Sequence, residues 1–237
     1  MVLGFLLWEL LGRLLVRNSL FLATPLQAFA ALGDMWVSGE LQRHSWVSAE
    51  EFIYGFVIAS IAGIAIGLAI ASSRATADIL NPWVAGLYAT PIIALAPLMI
   101  LWFGIGIVSK VAVVVSLVVF PVIVNTEAGI RSTDHELIEV GRSLCASRWQ
   151  IFTKISLPSA LPFILAGLRL GVGRGLIGVV VGELFGARAG LGYLIVQTSE
   201  AFNMPKMFAC VLVFAVAGIV LTLGFQAVER WLTPWRQ

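Results

Sequence analysis

Apolar positions along this chain run on without alternation. Phe52–Ser73, Ile79–Ser109, Val111–Thr126 and Met207–Val228 contain no charged residue, and Leu157–Gly182 contains only Arg169 and Arg174. About 20 apolar residues carry one helix across a bilayer. Continuous runs satisfy their backbone groups as helices, which excludes a β-barrel in practice. The pattern predicts an all-α, polytopic membrane helical bundle with five clear spans and a marginal N-terminal one. That sixth stretch, Val2–Val16, is short and interrupted by Glu9 and Arg13. It is either a tilted first span or an interfacial helix. Ile79–Ser109 exceeds one span, and Gly104 and Gly106 near its end predict a tight turn into the next. Its Pro82, Pro91 and Pro97 predict a kinked helix, or a broken one bordering a cavity.

Composition sharpens this picture. Of 237 residues, 59% are hydrophobic and 12% charged, against roughly a quarter charged in soluble domains. An ordinary soluble enzyme is excluded, and a net charge of +2 is too mild for a nucleic-acid partner. A single transmembrane domain, residues 1–237, is expected, with no room for a separate soluble one. Cys145 lies in a polar loop and Cys210 in an apolar run, so neither a disulfide nor a metal site is expected. His44 and His135 lie in different loops. Met1–Trp8 lacks the basic start of a cleaved signal peptide.

Charge predicts sidedness. The polar segment Glu127–Ser156 carries Arg131, Arg142, Arg148 and Lys154, which places it in the cytoplasm. With a first span included, both termini fall on that side of the cell (inner) membrane. Arg17, Arg43, Lys110, Arg188 and Lys206 fall outside. Asn18–Glu51 becomes an external segment with a short interfacial helix after Pro25.

Small residues recur at helical spacing. Gly55, Ala59, Gly63, Gly67 and Ala71 form one face, and Gly167, Gly171, Gly175, Gly178 and Gly182 another. Membrane helices approach closely through such faces. Static packing and a sliding contact both require them, so two readings stand. A charge deep in a span is costly and faces protein or water. Arg169 and Arg174 point about 140° apart on a helix. Arg169, close to the loop, either snorkels or pairs with a carboxylate near the cytoplasmic side. Arg174, nearer mid-span, either pairs structurally or touches an anionic solute, and Glu183 is a carboxylate available to a neighbouring helix. No His/Asp/Glu or Ser/Lys cluster is expected within the spans, which argues against an intramembrane enzyme; no catalytic or metal-binding residue is assigned.

The segment 127–158 carries the most specific pattern. Thr133-Asp-His-Glu136 and Ser147-Arg-Trp-Gln150 both fit the capping box, predicting two short helices. Leu137, Val140/Gly141 and Leu144 form an apolar face on the first, and Ile151, Phe152 and Ile155 on the second. Leu157-Pro158 is expected to end that helix. Gly141 and Ser143 keep part of the first helix small and approachable. The apolar face rests either in a groove of a partner or on the membrane.

Within this segment, Glu139-Val-Gly141, three residues, Cys145, nine residues and Ile155-Ser-Leu157-Pro158 resemble the EAA loop of binding-protein-dependent ABC importer permeases. That pattern reads E-A-A, three residues, G, nine residues, I, one residue, L-P. Val140-Gly141 replaces Ala-Ala, and Cys145 stands at the usual glycine, so the sharp bend there is in question. Pro91-Ile-Ile-Ala-Leu-Ala-Pro97, Leu101-Trp-Phe-Gly-Ile-Gly106, Arg142–Gln150, Gly167-Leu-Arg169, Gly173-Arg174-Gly175 and Gly190-Leu-Gly-Tyr193 resemble the nitrate, sulfonate and taurine branch. The first span is abbreviated beside typical members.

The resemblance implies a type I ABC importer-like fold working as a dimer with a second permease copy. It implies two cytoplasmic ABC ATPase subunits, an external solute-binding protein and surrounding membrane lipid as partners. ATP and magnesium would sit in the ATPase, with no cofactor bound by this chain. A coupling helix, Glu139 with Leu137, Val140, Gly141, Ser143, Leu144, Cys145 and Ala146, would dock on the ATPase. Arg174 and Arg169 become candidates for the pathway of a small anionic solute such as nitrate, a sulfonate or taurine. A permease for another small organic solute and a non-transport membrane adaptor remain the alternatives.

Overall fold

The computed structural model describes residues 8–10 and 23–233, among which every regular element is helical. Most of the marginal N-terminal stretch, residues 2–16, lies outside them. Ten α-helices follow: α1 Pro25–Val37, α2 Glu40–Ser72, α3 Arg74–Ala89, α4 Ala96–Phe103, α5 Ile107–Arg131, α6 His135–Ser143, α7 Arg148–Ile151, α8 Leu157–Leu184, α9 Leu191–Glu200 and α10 Met204–Leu232. Four helical stretches are long and apolar enough to cross a membrane: α2, α5, α7 through α8, and α10. The bent pair α3 and α4, joined by a short 3₁₀ turn, Ile92–Leu95, with an 80° change of direction, is apolar enough when taken together and forms either a broken span or a re-entrant loop. The run 79–109 is therefore a broken helix and not a merely kinked one. Pro91 removes an N–H where α3 would continue, and Thr90, before it, takes an extended backbone.

The first clean span begins earlier than its apolar run suggests. Gly39, at φ +78°, separates α1 from α2. From Glu40 the helix continues unbroken for 33 residues. Residues 40–51 thus extend the span, and only α1 remains of the expected interfacial helix. Thr24 and Gln27 form its capping box, and Pro25 starts its first turn.

Both glycine faces close on α5, the most enclosed span. Val114, Val118 and Val122 project from it at helical spacing and are fully buried. A Cβ added to Gly55 or Gly63 of α2 would stand 2.5 Å from Val114 Cβ or 2.8 Å from Val122 Cβ. At Gly67 it would lie 2.7 Å from Thr126 Cβ and 2.8 Å from the Ile123 carbonyl oxygen. From the other side, Gly167 faces Asn125, Gly171 faces Val118, and a Cβ on Gly178 would come 3.0 Å from Val114 Cα. Gly175 admits the Phe52 ring as well as Val118. Lipid offers helices no hydrophobic reward for association, so this backbone-level fit supplies the cohesion. By contrast, α10 is largely exposed and presents Val216, Ile219, Val220 and Leu223 outward.

Candidate functional site

At one end of the bundle α5 hands over to α6. The hydroxyl of Thr133 donates to the Ile130 carbonyl at 2.8 Å, finishing α5 instead of starting α6. Asp134 provides the cap, its Oδ1 accepting the Glu136 N–H at 2.9 Å. The expected Thr133 box does not form: the cap moves one residue on to Asp134, because Thr133 is still tied to the preceding turn. The second box forms as expected: Ser147 Oγ accepts the Gln150 N–H at 3.2 Å, and Gln150 Oε1 accepts the Ser147 N–H at 2.7 Å.

Between the two helices, Cys145 adopts φ +59°. Its N–H donates to the Arg142 carbonyl at 2.9 Å and that of Ala146 to the Gly141 carbonyl at 3.0 Å. This is the Schellman pattern, with cysteine where glycine is usual. The sharp bend is therefore made without glycine, at the left-handed backbone cost of a residue bearing a Cβ.

On α6, Leu137, Val140 and Leu144 point outward and are half or more exposed. Glu139 is exposed beside His135, 3.3 Å away. Ser143 donates to the Glu139 carbonyl at 3.0 Å. Gly141 turns the other way: it is buried, and a Cβ there would lie 2.9 Å from Ile155 Cδ1. It lets α6 close on the following helix and leaves the outer face to its neighbours. Leu157-Pro158 does not end that helix. A π-helical stretch, Phe152–Ser156, joins α7 to α8 and closes with the Leu157 N–H on the Phe152 carbonyl. Pro158 then falls in the first turn of α8, and Arg148–Leu184 is one 37-residue helix. Of the segment 127–158, residues 127–131 belong to α5. Single π-turns of this kind recur at functional positions.

The two span arginines separate as their spacing requires. Arg169 meets Glu229 of α10 at 3.2 Å. Arg174 is exposed on α8, its guanidinium carbon 6.0 Å from the Tyr88 ring centroid in α3. Among the described residues it has no ion-pair partner. Glu183 serves neither arginine.

Glu183 instead belongs to a buried polar cluster that contradicts the expected absence of one. At the end opposite α6, Ser48 donates to Glu183 Oε1 at 2.6 Å and accepts the Leu191 N–H at 2.8 Å. The other carboxylate oxygen of Glu183 accepts the Gly192 N–H. His44 Nδ1 accepts the Gly190 N–H at 3.0 Å, and its ring stacks on Tyr193. Beside them Lys110 and Glu51 pair at 2.9 Å, with side chains 10% and 1% exposed. Gly190 sits at φ +120°, where a Cβ would collide with the Glu183 carboxylate. The cluster joins α2, α5, α8 and the start of α9. Its residues stand at the edges of apolar runs, where their sequence signal is that of ordinary loop charges.

A bundle of four apolar spans and one bent apolar pair around a glycine-packed central helix, with two capped helices at one end, defines a multi-pass membrane protein. The chain belongs to the family described as binding-protein-dependent transport system inner membrane component, which matches residues 55–236. It is 36% identical over 230 residues to a Bacillus subtilis (strain 168) protein named as an aliphatic sulfonates transport permease, SsuC, covering 97% of this chain and 83% of that one. It is 33% identical over 233 residues to the taurine transport system permease protein TauC of Escherichia coli (strain K12), covering 96% and 85%. A chain from inward-facing structures of the MetNI methionine ABC transporter shares the fold, with a TM-score of 0.66 at 18% identity, covering 79% of this chain and 97% of that one. The chain is thus the permease subunit of an ABC importer, in which ATP hydrolysis belongs to a separate subunit.

Proposed function

We propose that this chain forms half of the translocation pathway of a cell-membrane importer, as a homodimer, for a small anionic solute of the sulfonate or taurine kind. The names of its relatives support that solute class, and nitrate has the same charge and scale. An external binding protein delivers the solute, and two cytoplasmic ATPase subunits hold ATP and magnesium. No cofactor is needed in this chain. The loop of α6 and α7 faces the cytoplasm, as does the C-terminus. The outer face of α6, with Glu139, Leu137, Val140 and Leu144, docks on the ATPase. Ser143, Cys145 and Ala146 shape that surface, and Gly141 holds it against Ile151 of α7 and Ile155 of the π-helical stretch.

The observation that carries the pathway reading is Arg174. A charge on an exposed mid-span face is costly against lipid, so it supports a face turned toward water or another subunit. Arg169, paired with Glu229, fits a structural role. The test is uptake of taurine and an alkanesulfonate by the assembled transporter. Arg174→Gln is expected to lower uptake at limiting solute about tenfold, the loss of one charge-assisted hydrogen bond, with assembly intact. Arg174→Lys is expected to retain part of it. Unchanged uptake in Arg174→Gln would return the arginine to a packing role and leave a neutral organic solute as the better reading.

A further inference from the structure

Beneath the two loop helices lies an open pocket of about 480 Å³, walled by the ends of α2 and α5, by α6 and by the start of the long α7–α8 helix. Leu68, Ile130 and Phe152 form its apolar wall, and Arg142 and Arg148 bring two cations. No carboxylate lines it. Neither arginine has an ion-pair partner among the described residues. Ser156 also lines it; the residue is only 8% exposed, and its hydroxyl has no hydrogen-bond partner among the described residues. The face of α6 involved is not the one that carries Leu137, Val140 and Leu144: half-buried Ile138 and exposed Arg142, one helical turn apart, line the pocket instead.

The chemistry is that of an open, basic pocket with an apolar side. It lies where α2 ends at Ser72 and α5 at Arg131, the level at which two spans leave the apolar layer. Phospholipid phosphates occupy that level, and basic pockets between span ends suit them. The volume is many times that of a water molecule, about 30 Å³. It therefore has room for a headgroup with the start of its glycerol ester, and the apolar wall would be wasted on a free ion.

We propose that this pocket binds the phosphodiester headgroup of an anionic phospholipid, with Arg142 and Arg148 on the phosphate and Ser156 donating a third hydrogen bond. Arg142 and Arg148 flank the Cys145 turn. One headgroup therefore fastens both loop helices to the ends of α2 and α5, so the lipid orders the loop from within. This holds whatever solute is carried and whether or not the outer face of α6 meets an ATPase.

The experiment uses the full-length chain in nanodiscs of phosphatidylcholine, with or without phosphatidylglycerol. Phosphatidylglycerol is expected to raise the Tm by about 3 °C, as for about 1 kcal/mol in a protein of this size, and to remain bound in native mass spectra. Arg142→Gln/Arg148→Gln is expected to match the wild type in phosphatidylcholine and to lose both effects. Arg142→Lys/Arg148→Lys, which keeps the charge should the glutamine pair fold poorly, is expected to retain most of the rise. Arg188→Gln, at the opposite end, is expected to retain all of it. The proposal is overturned if the glutamine pair keeps the full rise, if both paired variants fold and neither differs from wild type, or if millimolar inorganic phosphate in phosphatidylcholine reproduces the rise.

Discussion

Arg174 of α8 lies with its guanidinium carbon 6.0 Å from the Tyr88 ring centroid in α3, two residues before the Thr90–Pro91 break. The pair joins the exposed charge of the central bundle to the helix that bends away from it. Tyr88 itself stacks on Phe120 of α5, with centroids 5.9 Å apart, so the ring is held from behind. A cation over an aromatic face contributes about 0.5–2 kcal/mol, more as water is excluded. Tyr88→Phe is therefore expected to leave uptake near wild type. Tyr88→Leu is expected to weaken apparent solute affinity a few-fold by releasing the guanidinium. Equal behaviour of the two variants in concentration-dependent uptake would mean that the ring does not position Arg174.

Glu139 stands exposed on the outer face of α6, its carboxylate 3.3 Å from the His135 ring. Reversing its charge leaves the fold of this chain untouched and changes only what approaches it. Glu139→Lys is expected to insert normally and to show a wild-type Tm as an isolated subunit. In reconstituted vesicles with the ATPase and binding protein, solute-stimulated ATP hydrolysis is expected to fall several-fold. Normal stimulation would remove Glu139 from the docking surface.

Cys145 makes the Schellman turn at φ +59°, a conformation glycine adopts without the Cβ clash. Its thiol is exposed, so no packing is lost with it. Cys145→Gly is expected to stabilise the loop by about 1 kcal/mol, and Cys145→Val to destabilise it. Hydrogen exchange at residues 141–146 is the direct measurement. Slower exchange in the glycine variant and faster exchange in the valine variant are the expected signs.

Lys110 and Glu51 are a buried pair, and removing one partner strands the other. Lys110→Met is expected to cost about 3 kcal/mol, seen as a lowered Tm. Adding Glu51→Leu is expected to restore most of it, because a buried ion pair and an apolar pair of similar volume are near equal in stability. A double variant no better than the single would show that Glu51 serves the neighbouring Glu183 network more than it serves Lys110.

The spans, the glycine faces and the opposing directions of the two arginines were legible in the chain because they depend on local periodicity. So was the Ser147–Gln150 box, whose partners are three residues apart. The Thr133 box does not form because its hydroxyl has a competing carbonyl at Ile130, in the helix before it. The direction of Gly141 was not legible either, since a small residue suits an inner face and an outer one equally. The inner face it occupies is set by Ile151 and Ile155 on another helix.

By itself, then, the sequence determined that this is a membrane bundle, where its helices approach closely, and which loop carries capped helices. Burial of an uncharged run and the 3.6-residue repeat are properties of neighbours along the chain. Only the tertiary structure decided which charges are spent inside the protein. Ser48, Glu51, Lys110, Glu183 and Gly190 are spread over more than 140 positions and meet because α2, α5 and α8 pack side by side. Glu229 likewise takes Arg169 from sixty residues away and leaves Arg174 without a carboxylate. Ion pairing is a matter of distance in space, which hydropathy along the chain does not encode.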